Sequence, residues 1–299
     1  MALVGAFELD EPVPALEGPR LLVSLRPWVD VGSVGTLTLS ILADRWGATE
    51  VGRLVRPGRF YDFTRYRPVI STQDGERRVT VPNTFLQAAR AGGDWLLLHA
   101  LEPHANGEDF CDAVVALIRH FGVREYLLIG SMYGPVPHTR DALVSGGAAG
   151  EGLAERFRRL GVRQSTYQGP TTILATIPEQ LRSLGIATGS MLVQLPAYAQ
   201  LETDYRGAYT LLDRLRALYG ADLDLEELRQ EAERQYSALD SALERNPQLR
   251  SSVRELEELY DRVAASERPE EEEPRLSPEL ERFLAELERR FDQPDAGQG

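Results

Sequence analysis

Lysine is absent from this sequence of 299 residues, and all 33 basic side chains are arginine. Without lysine, the chain cannot form a Schiff base or contain the lysine of a Walker-type phosphate loop. The single cysteine, Cys111, excludes an intramolecular disulfide and a site built from several cysteines. No apolar run approaches the roughly 18 residues of a membrane-spanning helix, and the first residues lack the pattern of a signal peptide. We therefore expect a cytoplasmic protein that does not contact a membrane.

Recognisable motifs for catalysis or metal binding are also scarce. The four histidines form no HxH, HxxxH or HExxH pattern that would hold a metal ion. Neither the nucleophile elbow GxSxG nor the phosphate loop GxxxxGK[ST] occurs, and the segment 32–35 (GSVG) is too short for a dinucleotide fingerprint. The sequence therefore predicts no metal, no cofactor and no catalytic residue, and it favours a protein that is not an enzyme.

The net charge of −13 is concentrated in the last quarter of the chain. Residues 1–220 carry 23 acidic and 22 basic side chains, whereas residues 221–299 carry 23 acidic and 11 basic ones. Because an acidic region repels phosphate backbones, we do not expect nucleic acid as a partner. We expect the acidic C-terminal helices to contact a partner protein whose identity the sequence does not specify.

Short apolar strands alternate with helices over residues 20–220, and this alternation indicates the fold class. It predicts an α/β fold in which a mainly parallel sheet is flanked by helices on both faces. Residues 49–81 are instead rich in strands and turns, with a hairpin signal at Asp74-Gly75, and predict an antiparallel excursion attached to the sheet. The predicted strands are 20–25, 94–99, 125–130, 171–177 and 187–195, and the predicted helices are 34–46, 107–121, 150–160 and 178–184.

A C-terminal α-helical subdomain follows the α/β domain. Two apolar stripes at helical spacing, separated by Asn246-Pro247, predict an antiparallel helical hairpin. Each stripe is too short for an independent coiled coil, so it packs either on the α/β domain or on another subunit or partner. The predicted layout is an N-terminal segment 1–19, the α/β domain 20–220, the hairpin 221–266, an acidic linker 267–276, an amphipathic helix 277–292 and a disordered tail 293–299.

The loops that follow the predicted parallel strands contain the candidate site. Ligands of parallel α/β sheets bind at the carboxyl ends of the strands, so these loops should meet at one edge. A carboxylate, a histidine and an arginine in such a crevice can bind a phosphate or transfer protons, but they can equally stabilise loops and a subunit interface. The candidate residues are Trp28, Asp30, Gly32, Ser33, Glu102, His104, Ser131, His138, Arg140 and Tyr198.

Five segments, in this order and spacing, resemble the PAC2 family of proteasome assembly chaperones. They are RLLVSLRPWVDVGSVGTLTLSIL from residue 20, LLLHALEPHANGEDFCDAVVALIRHFGV from 96, YLLIGSMYGPVPHTRDALVSGGA from 126, YQGPTTILATI from 167 and SMLVQLPAYAQ from 190. The helical region after them resembles the C-terminal extension of bacterial members of the actinobacterial type. The resemblance implies a fold similar to nucleoside phosphorylases and peptidyl-type hydrolases.

The resemblance also implies self-association, with a homotrimer as the expected form, and a role as an assembly chaperone or scaffold that acts through protein–protein contacts. Some relatives dock on proteasome rings through a C-terminal hydrophobic-Tyr-any tail, but this chain ends in Gly297-Gln298-Gly299 and departs from that pattern. Two other functions stay open. One is a hydrolase- or phosphorylase-like enzyme that acts on a nucleoside or peptide-like small molecule in the crevice, and the other is a regulatory module that binds a small ligand.

Overall fold

The computed structural model describes residues 1–73, 75–150, 152–243 and 246–265. Its α-helices are α1 (Val34–Trp46), α2 (Gly107–His120), α3 (Leu153–Arg159), α4 (Ile177–Arg182), α5 (Tyr205–Tyr219), α6 (Glu226–Leu243) and α7 (Pro247–Ala265). Its strands are β1 (Ala2–Val4), β2 (Phe7–Leu9), β3 (Arg20–Arg26), β4 (Thr49–Leu54), β5 (Val69–Gln73), β6 (Glu76–Thr80), β7 (Phe85–Arg90), β8 (Asp94–Leu101), β9 (Glu125–Gly134), β10 (Val144–Ala149), β11 (Arg163–Gln164) and β12 (Ala187–Pro196).

Ten strands form one sheet in the order β1-β2-β4-β7-β8-β3-β9-β12-β10-β11. The α/β class is confirmed, but the sheet is mixed and not mainly parallel. The central strands β8, β3, β9 and β12 are parallel to one another, whereas β1, β2, β4, β7 and β8 pair antiparallel in that order. Strand β10 is antiparallel to β12 and parallel to β11. A parallel return needs a crossover connection, usually a helix, and the loop 135–143 between β9 and β10 contains none.

The hydrophobic core lies on both faces of this sheet. Successive side chains of a strand point to opposite faces, so Leu21 and Val23 of β3 pack on the side of α2, while Leu22 packs on the side of α1 and α5. Burial of each such leucine contributes about 1.5–3 kcal/mol to folding. Helices on both faces therefore hold the carboxyl ends of the central strands, and the loops after them, in a fixed arrangement.

The predicted strand at 171–177 is wrong. The chain forms a short 3₁₀ turn at Ile173–Thr176 and then enters α4. The β-branched residues of the segment 171–177 favour a strand, but Leu174, Ile177 and Leu181 are buried at spacings of three and four residues. That spacing places the three side chains on one side of a helix, and their burial outweighs the local strand propensity.

Strand β10 lies in a region that the sequence indicated as a long loop. Its segment VSGGAA is poor in the residues typical of strands. A Cβ atom on Gly146 would lie 1.8 Å from the carbonyl oxygen of Ser190 on β12. Only glycine permits this approach of the two backbones, so a residue that usually weakens a strand is the one that allows the pairing here.

The region 49–81 divides into two parts. Strand β4 joins the large sheet, whereas β5 and β6 form a separate two-stranded hairpin. The predicted turn at Asp74-Gly75 lies between these two strands, and Asp74 itself is outside the described residues.

Helix α6 packs along α5, so the helical region contacts the α/β domain of its own chain. Ala232, Tyr236 and Leu243 of α6 and Val253 and Leu256 of α7 are buried, and these are positions of the two predicted apolar stripes. The predicted linker 267–276, helix 277–292 and tail 293–299 lie outside the described residues and stay predictions. No helix in the described part is long and apolar enough to cross a membrane.

Candidate functional site

Asp30 lies at the start of α1, where it satisfies the helix terminus. Its carboxylate accepts hydrogen bonds from the backbone N–H of Thr36 at 3.0 Å and from the Thr36 hydroxyl at 2.5 Å. The first turn of a helix leaves backbone N–H groups without partners, and a carboxylate at this place supplies one. Burial raises the pKa of Asp30, although these hydrogen bonds oppose the shift. The Asp30 carboxylate therefore stabilises the start of α1 and does not line an open crevice.

Ser131 at β9 holds the loop that carries Trp28 and Asp30. Its backbone N–H donates to the carbonyl of Val29 at 2.9 Å, and its hydroxyl donates to the carbonyl of Val31 at 2.5 Å. A Cβ on Gly130 would lie 1.9 Å from the oxygen of Val29, so the loop lies directly on β9. The indole of Trp28 is exposed.

Asp204 closes the loop at Gly32 and Ser33, and sequence analysis did not select it. Gly32 and Ser33 have φ values of 59° and 53°, a left-handed conformation that is rare for serine. The N–H of Asp204 donates to the carbonyl of Gly32 at 2.8 Å, and a Cβ on Gly32 would lie 2.8 Å from the Cβ of Asp204. The hydroxyl of Ser33 donates to the carbonyl of Glu202. The chain before α5 thus fills the crevice beside these two residues.

The side chain of Asp204 connects α5 with α6. It accepts hydrogen bonds from the backbone N–H of Gly207 at 2.7 Å and from the hydroxyl of Tyr236 at 2.9 Å. Burial raises the pKa of Asp204. An aspartate immediately before a helix is a common N-cap, and this signal was available in the sequence at Asp204-Tyr205.

His138 is buried between Tyr198 and Asp240. Its Nδ1 lies 2.6 Å from the Tyr198 hydroxyl, and its Nε2 lies 3.0 Å from Oδ1 of Asp240. The Tyr198 hydroxyl also accepts the backbone N–H of His138 at 2.7 Å. Burial lowers the pKa of His138, with Asp240 opposing the shift, so the imidazole is neutral at neutral pH. Because an ionised carboxylate only accepts, Nε2 carries the proton and Nδ1 accepts from the Tyr198 hydroxyl.

Arg140 joins the same loop to α7. Its guanidinium donates to both carboxylate oxygens of Asp261, at 2.8 and 2.7 Å, and to Glu257 at 3.4 Å. The bond to Asp261 raises the pKa of Arg140. The Thr139 hydroxyl donates to Glu257 at 2.5 Å, and the hydroxyl of Tyr260 donates to the carbonyl at residue 141. We call the contacts of residues 138–141 with α6 and α7 the clamp.

Glu102 and His104 contact a different set of residues. Glu102 accepts the N–H of Ile173 at 3.3 Å through Oε1, while Oε2 is buried with no hydrogen-bond partner among the described residues. Burial raises the pKa of Glu102. Nδ1 of His104 accepts the N–H of Asp62 at 3.1 Å, and its ring lies 4.5 Å from that of Tyr66. The ten candidate residues therefore do not line one crevice. Glu102 and His104 form one group, and the candidates at β9 and in the loops after β3, β9 and β12 form another.

An open cavity of about 400 Å³ lies beside α1, and sequence analysis did not select its residues. Its histidine, His99, is stacked on Phe85 with ring centroids 4.4 Å apart, and Nε2 lies 2.8 Å from the side-chain oxygen of Gln87. Burial, assisted by the charge of Arg26, lowers the pKa of His99 to about 4. The cavity is lined by Arg26, Thr36, Ser40, Ala43, Phe85, Gln87 and His99.

The described residues contain no group of three or more His, Cys, Asp or Glu side chains placed to hold a metal ion. At the clamp, both ring nitrogens of His138 have hydrogen-bond partners within the chain, and the guanidinium of Arg140 binds Asp261 of the same chain. The arrangement can therefore fix a loop on two helices, and it leaves neither ring nitrogen of His138 available to accept a proton from a substrate.

Three solved structures illustrate what this chain is similar to. A protein of unknown function from Corynebacterium glutamicum has a TM-score of 0.77 at 24% identity, over 88% of this chain and 99% of its own. A PAC2 family protein from Streptomyces avermitilis has a TM-score of 0.67 at 26% identity, over 75% and 95%. A proteasome-assembly chaperone homologue from Mycobacterium tuberculosis has a TM-score of 0.68 at 24% identity, over 78% and 99%. No curated protein matches this chain.

The model of the PAC2 family matches residues 24–243, which is well over half of the chain. The matched range contains the loop of Asp30, the loop of His138 and Arg140, and helix α6. The mixed sheet with helices on both faces agrees with the fold of the similar structures, at TM-scores of 0.77 and 0.67. The resemblance that five sequence segments indicated is confirmed, and this chain belongs to the PAC2 family.

Proposed function

We propose that this protein is a homo-oligomeric assembly chaperone or scaffold that acts through protein–protein contacts and not by catalysis. The observation that supports this most strongly is the clamp, in which the polar side chains at the carboxyl edge bind to one another and to α6 and α7. A similar protein, from Mycobacterium tuberculosis, is named as a proteasome-assembly chaperone homologue. A scaffold needs a rigid surface more than it needs a reactive group, and the clamp holds the loop at 138–141 rigidly against α6 and α7.

The acidic surface of α6 and α7 is the proposed contact for a partner protein. Asp240, Glu257 and Asp261 face the loop at 138–141, whereas Glu227 and Glu233 are exposed on α6 and Glu258 is exposed on α7. Charges at the rim of an interface steer association and select a partner of opposite charge. We therefore propose that the partner presents a basic surface, and that the protein assembles with it in the cytoplasm, where a lone cysteine such as Cys111 stays reduced.

Two measurements on the full chain test this function. Light scattering gives the native mass, and a homotrimer should give about three times the chain mass of 33.3 kDa. A monomer over the whole concentration range would contradict the oligomeric scaffold. Pull-downs with the tagged full chain then compare the wild type with the triple variant Glu227→Gln, Glu233→Gln and Glu258→Gln. We expect the variant to lose the partner and to keep its native mass, because the three side chains belong neither to the clamp nor to the sheet.

The outcome that contradicts the partner surface is an unchanged set of captured proteins with the triple variant. A charge-matched control is Glu50→Gln together with Glu108→Gln and Glu155→Gln, which removes three acidic groups far from α6 and α7 in the sequence. If both variants lose the partner equally, the total charge and not this surface governs binding.

A second candidate function is the binding of a small molecule, and the cavity beside Arg26 is the observation that favours it. The guanidinium of Arg26 forms no hydrogen bond or ion pair with the described residues, and the hydroxyls of Thr36 and Ser40 line the same cavity. An arginine with neutral polar neighbours suits a ligand that carries a phosphate or a carboxylate. This proposal keeps open a phosphorylase- or hydrolase-like activity, with the ligand in this cavity and not at the clamp.

Thermal shift against inorganic phosphate, nucleosides and small carboxylates tests this second function. We expect an increase in melting temperature with at least one of them, and no increase in the variant Arg26→Gln. The control Arg56→Gln changes an exposed arginine that does not line the cavity. The absence of a shift with every compound would remove this candidate.

A further inference from the structure

Between β4 and β7 the chain forms an exposed apolar arm, which we define as β5, β6 and Val81. Val69, Ile70 and Val79 have exposed fractions of 62%, 54% and 60%. Ile70 and Val79 are direct partners in the hairpin and therefore share one face, while Val69 pairs with Thr80 and lies on the other face. Apolar side chains are thus exposed on both faces of the arm, so neither face packs against the body of the protein.

A two-stranded hairpin without a packing partner is marginally stable in water. The arm forms a sheet of its own, and each of its strands has one edge on which backbone groups pair with no described strand. Exposed β-branched side chains together with free strand edges are the features by which one chain adds a strand to the sheet of another. The arm therefore has the properties of a segment that is covered by a second molecule.

The same chain presents a free edge on its large sheet. Strand β1 is the outermost strand and pairs only with β2 among the described strands. Leu3 in the middle of β1 has an exposed fraction of 71%, while its neighbours Ala2 and Val4 pack against the core. This edge offers unpaired backbone groups and an exposed aliphatic side chain, which are the groups that the arm requires.

The charges around the arm and this edge are of opposite sign. Arg67, Arg77 and Arg78 are exposed and form no ion pair with the described residues, and they outnumber Glu76, the acidic residue of β6. Residues 1–19 at the β1 edge contain four acidic side chains and no arginine, and one of the acids, Glu11, pairs with the ammonium group of Met1 at 2.9 Å. Glu8 is the cross-strand partner of Leu3, which places an acidic group beside the exposed leucine. Arg53, the partner of Glu8 on β4, pairs with Glu50. Complementary charge of this kind sets the orientation of a contact.

We propose that the arm of one copy docks along the β1 edge of a second copy, extends its sheet and covers Leu3. Because the arm and the edge are different surfaces, the contact runs head to tail, and the proposed homotrimer is the ring that forms when the rotation between neighbouring copies closes. This inference rests on the proposed function, since it assumes that the protein associates with itself. It adds to that function the elements that make the contact.

Cysteine cross-linking on the full chain tests this contact, because the native Cys111 is buried and does not compete. One tagged chain carries Leu3→Cys, and a second, differently tagged chain carries Ile70→Cys or Val69→Cys, which sample the two faces of the arm. Co-expressed pairs are oxidised mildly, and a disulfide that joins the two differently tagged chains is necessarily intermolecular. We expect Leu3→Cys to cross-link with at least one arm position. The matched control pairs Leu3→Cys with Leu184→Cys, an exposed leucine outside the arm, and should give no product.

The outcomes separate this inference from the function on which it rests. If the wild type is an oligomer by light scattering but the arm does not cross-link to Leu3, the arm assignment is wrong and the scaffold proposal survives. Cross-linking of Ile70→Cys mainly to itself would also overturn the assignment, because it shows an arm-to-arm contact. A monomeric wild type overturns both. In a second variant, Arg77→Glu with Arg78→Glu, the oligomer should dissociate at a protein concentration at least tenfold higher than the concentration at which the wild type dissociates. The circular dichroism spectrum should be unchanged.

Discussion

His138 and Asp240 are 102 residues apart in sequence, and Nε2 of the histidine lies 3.0 Å from Oδ1 of the aspartate. The histidine side chain is 1% exposed and the aspartate side chain 62% exposed. The carboxylate therefore keeps most of its hydration while it binds the buried N–H, which avoids the large desolvation cost of a fully buried ion pair. This contact fixes the loop after β9 on helix α6.

Replacement of His138 should destabilise the protein more than replacement of Asp240. The change His138→Gln removes a buried ring that contacts both Tyr198 and Asp240, and we expect a loss of about 2 kcal/mol in the free energy of unfolding. Asp240→Ala should cost about 1 kcal/mol, because the buried Nε2–H of His138 loses its acceptor while the contact with Tyr198 stays in place. Urea denaturation measures both values.

Glu233→Ala is a matched control for Asp240→Ala, because Glu233 lies on the same helix with a side-chain exposure of 61% and, among the described residues, pairs with the surface residue Arg229 alone. It should change stability by less than about 0.5 kcal/mol. Equal losses for Asp240→Ala and Glu233→Ala would show that the contact with His138 does not contribute.

The pair formed by Arg140 and Asp261 should control the local opening of α7. The change Arg140→Gln removes a two-fold hydrogen bond to Asp261. We expect amide hydrogen exchange within residues 247–265 to become at least tenfold faster, because this helix is held by fewer buried residues than the sheet. Mass spectrometry of peptides from α7 measures the rate. The variant Arg254→Gln, at an exposed arginine on the same helix, should exchange as the wild type, and equal rates in both variants would contradict the role of Arg140.

Two adjacent glycines on β10 should respond in opposite ways to alanine. Gly146→Ala would place a methyl group 1.8 Å from the carbonyl oxygen of Ser190, which forces β10 away from β12. We expect a loss of more than about 3 kcal/mol or a protein that does not fold. Gly147→Ala meets only the amide nitrogen of Gln164, at 3.7 Å, and should be neutral or stabilising. Thermal unfolding of both variants is the measurement, and similar melting temperatures would show that β10 does not pair as described.

The pKa of His99 makes stability depend on pH. Burial lowers it to about 4 in the folded protein, below the value of about 6.5 in an unfolded chain. The folded state therefore binds the proton less tightly, and the contribution of neutral His99 is complete above pH 6.5 and is lost as the pH falls towards 4. The shift corresponds to a loss of about 3 kcal/mol over this range.

Denaturation curves at pH 7.5 and pH 4 in the variant His99→Gln measure this contribution. The variant should lose about 3 kcal/mol less stability on acidification than the wild type. His120→Gln, at an exposed imidazole, should keep the dependence of the wild type. An identical dependence in the wild type and His99→Gln would show that another group controls acid stability.

Part of the candidate site could be predicted from the sequence because it follows from strand direction. The loops after β3, β8, β9 and β12 were selected as those that follow parallel strands, and these four strands are parallel in the structure. His138 and Tyr198 come from two of these loops and meet at 2.6 Å. Asp204 and Asp240 were missed, because one carries the signal of an ordinary helix cap and the other lies on a solvated helical surface.

The sequence alone determined the family, the α/β class and the position of the central strands, because apolar runs, their alternation with helices and five ordered segments are local signals. The tertiary structure decided the rest. It placed β10 antiparallel beside β12, since that pairing depends on the space at Gly146, and it turned 171–177 into a helical turn through the burial of Leu174 and Ile177. It also filled the predicted crevice with Asp204 and the clamp, because the partners of a polar side chain depend on which distant segments fold against it.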